Sequence, residues 1–361
     1  MKNVLFFFLI FILAACTKNK PVQITLLPTL PLAETYYYPP LQGNTWETKT
    51  PAALGWNEAK LNEAFNFAGI KKSFGLIVLQ NGRIVKEQYW NNWTADTRYY
   101  IASAGKSVIG FLTGIAQQDG LIDINQHSAT YLGAGWTSLP AAKEQLIKVK
   151  HHLSMTTGLD DGVTDLNCTD PSCLKYKADA GTRWAYHNAA YFKIHDVLTL
   201  VSRQSLNAYS KAKLFDKIGM SNAYWLDKVL YCTTREAARF GSLMPRKGKW
   251  ENNALLSDSN YFAAMIQPSQ TLNNSYGYLW WLNGKQNFLL PSLQFVFNGS
   301  LTPTAPADMY MALGKDDKKI YVVPSLNVVV IRLGDDAGGS TAGPSSFDTE
   351  LWAKLKLAMN Y

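Results

Sequence analysis

A hairpin near one end of the chain and three strand-like runs near the other constrain the fold most. Gly75 to Gln80 (GLIVLQ) and Arg83 to Trp90 (RIVKEQYW) flank Asn81-Gly82. That dipeptide suits a two-residue turn because both positions tolerate positive φ. Met309–Leu313, Lys319–Val323 and Val328–Leu333 are apolar runs of strand length, with Pro324-Ser325-Leu326-Asn327 turning between the last two. Between these ends the helical period prevails. Leu61, Phe65 and Ala68 share a face in 57–69, and Val108, Phe111, Leu112 and Ile115 share one in 103–118. Asn188–Ser202 and Ser205–Phe215 read as helices. Thr233-x-x-Glu236 is a capping box opening a helix through Leu243. Ser346–Met359 closes the chain with Phe347, Leu351 and Leu355 on one side. Strands at both ends of a helical middle predict one discontinuous α/β unit carrying a helical insertion.

The first residues bear on where the chain works. Met1-Lys2-Asn3 precedes an apolar run from Val4 to Ala14, too short to span a bilayer comfortably and the right length for a signal-peptide core. Leu13-Ala14-Ala15-Cys16 resembles the bacterial lipobox, in which cleavage falls before the cysteine and the cysteine is lipidated. Residues 1–15 are therefore expected to be a lipoprotein signal peptide and Cys16 the lipidation site. Thr17 after it, by resemblance to bacterial sorting rules, leans toward the outer membrane. Residues 16–45 hold Pro21, Pro28, Pro31, Pro39 and Pro40 and read as an extended tether, reaching up to roughly 80–90 Å at about 3.1 Å per residue. The soluble domain is then 46–361. Lys+Arg 35 against Asp+Glu 27 gives +8, but the positive residues are scattered, so no nucleic-acid footprint is expected. Cys168 and Cys173, in NCTDPSC, fit a local disulfide in an oxidising compartment. Cys232 reads as a small buried residue. No H-E-x-x-H and no four-ligand cluster occurs, so neither a metal nor another cofactor is expected.

Chemistry starts at Ser103-Ala104-Gly105-Lys106, which opens an apolar helix. Three residues are about one turn, so the Ser103 hydroxyl and the Lys106 amine share a face. A serine is a weak nucleophile without a neighbouring base. A lysine buried by this helix would lose pKa and could serve as that base. The same spacing recurs at Ser172/Lys175 and Ser210/Lys213, in the cysteine loop and on a solvated helix face. A P-loop would need glycine where Tyr100 stands, and no G-x-S-x-G elbow occurs. His151, His152, His187 and His195 read as structural. Tyr186-His187-Asn188 is the second element: a tyrosine can relay the serine proton, and an asparagine amide can hold a substrate carbonyl or the lysine. Tyr89/Asn91 has the same spacing, so this element alone does not discriminate. Trp280-Trp281 suits either an apolar cleft or internal packing.

The order of these elements carries more than any one of them. S-x-x-K, some eighty residues, Y-x-N, and then a glycine-containing strand near the C-terminus resembles the serine β-lactamase and penicillin-binding-protein superfamily. Within it the chain resembles the class C branch, and most closely the group of 6-aminohexanoate-dimer hydrolase and related esterases. The similarity covers about 46–361. It includes GLIVLQNGRIVKEQYW, GIAQQDGLIDIN at 114–125, HHLSMTTGL at 151–159, AGTRWAYHN at 180–188, YGYLWW at 276–281 and IYVVPSLNVVVIRLG at 320–334. The resemblance implies an antiparallel sheet flanked by helices, from about 46–120 and 306–361, with a mostly helical subdomain at about 121–305. It implies Ser103 as acylated nucleophile, Lys106 and Tyr186 sharing general-base and general-acid work, and Asn188 positioning substrate or lysine. The backbone N–H groups of Ser103 and Lys315 would form the oxyanion hole, with Gly314 matching the glycine of the third motif.

That third motif departs from the family pattern. Lactamases and peptidases carry Lys-Thr-Gly or His-x-Gly; this chain has Ala312-Leu313-Gly314. The polar side chain that would face a substrate carboxylate is missing, which argues against penicillin and D-Ala-D-Ala turnover. The expectation is a lipid-anchored serine hydrolase of the bacterial envelope, acting on a small-molecule ester or amide. A D,D-peptidase or weak β-lactamase, a non-catalytic binding lipoprotein on the same fold, and a structural tether without a pocket ligand are the alternatives.

Overall fold

The computed structural model describes residues 35–338 and 343–361. The expected signal peptide, Cys16 and most of the proline-rich segment lie outside the described residues. Helix α1 (Glu58–Ile70) starts at Asn57, whose side chain accepts from the Lys60 N–H at 3.1 Å. Strands β1 (Ser73–Gln80) and β2 (Arg83–Tyr89) form the expected hairpin, with Asn81 and Gly82 at φ +48° and +79°. Then come β3 (Arg98–Tyr100), α2 (Gly105–Gln118), α3 (Asn188–Ser202), β4 (Tyr224–Leu226), β5 (Val229–Thr233) and α4 (Thr234–Leu243). The chain ends with β6 (Trp281–Leu282), β7 (Tyr310–Gly314), β8 (Lys318–Val323), β9 (Val328–Gly334) and α5 (Ser346–Met359).

Six strands make one antiparallel sheet in the order β2-β1-β9-β8-β7-β6. The early hairpin therefore pairs with the last strand, Val78 opposite Val330. Alternation along β8 sends successive side chains to opposite faces. Ile320 faces α4, which comes so close that a Cβ on Gly241 would stand 2.6 Å from Val329. The next residue, Tyr321, donates its hydroxyl to Asp348 of α5 at 2.5 Å. Helices α5 and α1 lie together on that side; Phe67 and Phe347 stack at 5.7 Å and the Asn57 N–H reaches the Ala358 carbonyl. Both faces are covered, so all of β8 and β9 is buried.

A buried ionic network fixes the turn after β7. The Lys319 ammonium lies 3.1 Å from Asp317 and 2.9 Å from Asp348. Arg332 donates to the carbonyls of Asp316 and Asp317. Asp316 and Asp317 both hold positive φ, a strained geometry that the surrounding bonds keep in place.

One expected boundary is corrected. Residues 36–45 are not tether: Tyr36 through the C-terminus form one compact unit. The Tyr37 N–H bonds the Asn81 carbonyl, Arg239 donates to the Pro39 and Pro40 carbonyls, and Tyr38 packs on Trp250. Prolines lack a donor but keep a carbonyl, and here the arginine uses it. The stretch 121–305 is mostly helical with long loops; from it β5 and β4 form a three-stranded sheet with β3, α4 packs on the main sheet and β6 joins it. The main sheet therefore also draws on this stretch. Ser205–Phe215 is helical throughout, but its second half, Lys211–Phe215, is π-helix.

The histidines couple this packing to pH. His152 is buried between the Ser128 hydroxyl (2.9 Å) and the Ala190 carbonyl (2.6 Å). Burial pushes its imidazole down to about 4. His195, ringed by Tyr191, Phe192 and Trp225, is held well below its ordinary value, chiefly by burial. In the unfolded chain both take up protons near pH 6.5, which the folded chain refuses. Stability present at pH 7 is then lost as pH falls below about 6.5. His152 alone accounts for roughly 3 kcal/mol by pH 4. The melting temperature should fall steeply between pH 6.5 and 4.5, above the carboxylate range; a flat profile there would refute this account.

Candidate active site

Every residue of α2 from Gly105 to Ala116 is buried, packed between α3 and β7. Ser103 sits in the 3-10 turn Ala102–Ala104 that leads into it. Ala102 holds φ +47°, an unusual backbone for alanine, immediately before that serine. The turn places the Ser103 hydroxyl 2.9 Å from the Lys106 ammonium nitrogen. Lys106 also donates to Asn188 Oδ1 at 2.9 Å, at the first turn of α3. Its nitrogen lies 4.5 Å from the Tyr191 ring centroid and 5.0 Å from that of Tyr186. Among the described residues no carboxylate pairs with it. Burial alone, with no counter-charge opposing it, lowers the Lys106 pKa from 10.5 to about 7. At neutral pH a substantial share is the free amine.

Tyr186 backs onto an aromatic wall: Trp281 stacks on it at 5.9 Å, and Trp184 and Tyr276 close the sides. Burial raises its phenol well above 10, with a hydrogen bond to Ser103 acting the other way. It is a neutral hydroxyl, not a phenolate. His187 caps α3, its Nδ1 accepting from the Ala190 N–H.

Ser103, Tyr186, Asn188 and Lys315 line one cleft of about 200 Å³, together with Leu166, Pro291, Ser292 and Gly343. Gly314 is required for the last approach. A Cβ there would stand 2.4 Å from the Ile101 carbonyl oxygen and 3.1 Å from the Ala104 nitrogen. Only glycine lets the end of β7 lie against the turn that carries Ser103. Ala312 is buried within β7.

The other serine–lysine pairs do not form a site. Ser210 accepts from the Trp225 indole inside the protein, and Lys213 pairs with Asp119 at the surface. Ser172 lies in the loop closed by a Cys168–Cys173 disulfide. Cys232 is fully buried, its thiol pKa raised chiefly by burial. Trp280 packs against Phe240 and Tyr310, so the tryptophan pair serves packing and the wall behind Tyr186.

Residues 68–229 match the family described as Beta-lactamase. Three solved structures share the architecture. A candidate 6-aminohexanoate-dimer hydrolase from Bacillus anthracis is 16% identical, covers 90% of this chain and 89% of its own, and superposes with TM-score 0.66. A penicillin-binding-protein homologue from Caulobacter crescentus is 12% identical over 87% and 99%, with TM-score 0.64. EstCE1, a hydrolase with promiscuous acyltransferase activity, is 12% identical over 84% and 100%, with TM-score 0.59. Over the matched segment the chain is similar to the Beta-lactamase family, and the solved structures show that it shares their fold. Identities this low show the fold.

One neighbour of the site escaped the sequence. Asn188 Nδ2 donates to Asn167 Oδ1 at 3.0 Å, and the Ala189 N–H donates to the Leu166 carbonyl. An amide is ambiguous in orientation until its neighbours choose. Asn167 takes the N–H side and so presents Oδ1 to Lys106. No motif marks Asn167; only its place as the first residue of NCTDPSC, next to the disulfide-bonded Cys168, was legible.

Acylation of Ser103 should rise with pH through a midpoint near 7 as Lys106 gives up its proton. Asn167→Asp keeps an acceptor for Asn188 but adds negative charge, and should move that midpoint up by on the order of half a unit. Asn167→Ala should slow acylation about tenfold. Labelling rates measured across pH 5–9 distinguish this from loop loosening, which would lower the rate and leave the midpoint in place.

Proposed function

We propose that the protein cleaves a small ester, or less readily a small amide, through an acyl-enzyme at a Ser103-Lys106-Tyr186 site. The observation that supports it most is the buried Lys106 amine, without a carboxylate partner, at hydrogen-bond distance from Ser103. Ser103 Oγ attacks the carbonyl carbon and its proton passes to Lys106. The oxyanion that forms accepts from the N–H groups of Ser103 and Lys315, brought together by Gly314. As the carbon–oxygen bond to the leaving group breaks, the proton held by Lys106 reaches the leaving alkoxide through the neutral Tyr186 hydroxyl. Water then repeats the sequence on the acyl-enzyme, returning Ser103 and releasing the acid. No metal or organic cofactor enters these steps. The neighbours named as a 6-aminohexanoate-dimer hydrolase and as a hydrolase with promiscuous acyltransferase activity support hydrolysis through acyl transfer on this fold.

The D,D-peptidase and β-lactamase alternative is the weaker one. Ala312, sealed in the sheet, offers nothing to a substrate carboxylate. A binding lipoprotein without turnover would have no use for an uncompensated lysine against a serine.

Incubation with a fluorophosphonate and peptide mass analysis should place an adduct on Ser103, absent in Ser103→Ala and in Lys106→Ala. Tyr186→Phe should acylate 10²–10⁴-fold more slowly, the range for losing one proton-transfer group. A folded protein that takes no adduct would overturn the reading.

The cellular address is a proposal from the sequence. Lipid on Cys16 would anchor the domain in the bacterial envelope, leaning to the outer membrane. Metabolic labelling with palmitate should tag the wild-type chain and not Cys16→Ser; equal labelling of both would remove the proposal.

A further inference from the structure

The cleft has an apolar rim on one side. Residues 292–296 are all exposed, and three of them are large and apolar: Leu293 at 45%, Phe295 at 65% and Val296 at 45%. Large apolar side chains gain from burial, so three exposed within four residues call for a function. The segment is not loosely attached. Phe288 and Phe297 pair across two short strands and stack at 5.2 Å. Phe295 stands edge-on to Phe297 at 4.8 Å, so its ring is held in place while two-thirds exposed. The Gln294 amide donates to the Trp184 carbonyl at 3.1 Å. That bond fixes the rim to the aromatic wall behind Tyr186. Pro291 and Ser292, at the base of the same segment, line the cleft itself. The rim is thus continuous with the cleft that holds Ser103.

Size points the same way. The cleft, at about 200 Å³, is below the roughly 300–1,000 Å³ of pockets that enclose a drug-sized ligand. A substrate with more than a short acyl group must leave the cleft, and what meets it at this edge is hydrocarbon. We propose that the 291–297 rim binds the chain of the substrate. The preferred substrates are then uncharged esters with an alkyl or aryl chain long enough to cross the rim. This rests on the serine-hydrolase reading and adds the substrate class to it.

The test uses n-alkyl fluorophosphonates from ethyl to decyl, each below its micelle concentration, against the full chain. The rate of Ser103 labelling is the readout. Each methylene half-buried on the rim is expected to raise the rate about twofold, so decyl should outrun ethyl by well over tenfold. In Phe295→Ser, and separately in Val296→Ser, the decyl-to-ethyl ratio should fall toward one; Phe295→Leu should restore most of it. Melting temperatures control for folding. Labelling that is independent of chain length overturns the rim while leaving the reactive serine standing. A chain-length dependence that both serine variants retain also overturns it. No labelling at any length in the folded protein removes the serine-hydrolase reading and the rim with it.

Discussion

A lysine enclosed on all sides without a counter-charge is an expensive thing to build into a protein, and much of this molecule is arranged around one. The ammonium of Lys106 finds two aromatic faces, one serine and one amide oxygen, but no carboxylate among the described residues. A carboxylate within hydrogen-bond distance would have held the proton on and ended the lysine's use as a base. The burial of α2 between α3 and β7 excludes water and lowers the pKa. The chemistry at Ser103 and the packing of α2 are one constraint seen from two sides.

The rest of the architecture brings other groups to that lysine and keeps them there. The first turn of α3 delivers Asn188, with its amide turned by Asn167. Close approach of β7, possible only at Gly314, delivers the backbone of Lys315. The turn beyond it is held by the buried ions Asp317, Lys319, Asp348 and Arg332, which bind the sheet to α5. Such ions add little to net stability when paired. Their use here is geometric, because they hold two consecutive residues in positive-φ backbone.

Local signals were legible in the sequence and long-range ones were not. The hairpin at Asn81-Gly82, the capping box at Thr233 and Glu236, and helices 188–202 and 346–359 are short-range chemistry, and they stand where the sequence placed them. The serine–lysine spacing needed the order of motifs to separate Ser103 from Ser172 and Ser210, since burial decides among them and burial is a tertiary property. Asn167 has no signature because its role depends on one hydrogen bond to a residue 21 positions away. The middle of the chain hides a long-range contact for a related reason. Helix α4 reads locally like any other amphipathic helix, and only the fit of Gly241 against Val329 puts it on the sheet. The prolines of 36–45 suggested a free segment, yet their carbonyls are what Arg239 binds.

Strand order has a further consequence, for the making of the molecule. Strand β1 pairs with β2 at once, but its other edge is completed by β9, and α1 rests against α5. A growing chain holds an open hairpin edge, and cannot assemble the sheet, until β9 has been made. Loop closure over such a separation is slow compared with forming the hairpin or any helix. The local pieces form first and wait. The long separation of β1 from β9 in sequence thus makes the sheet wait on a strand made late.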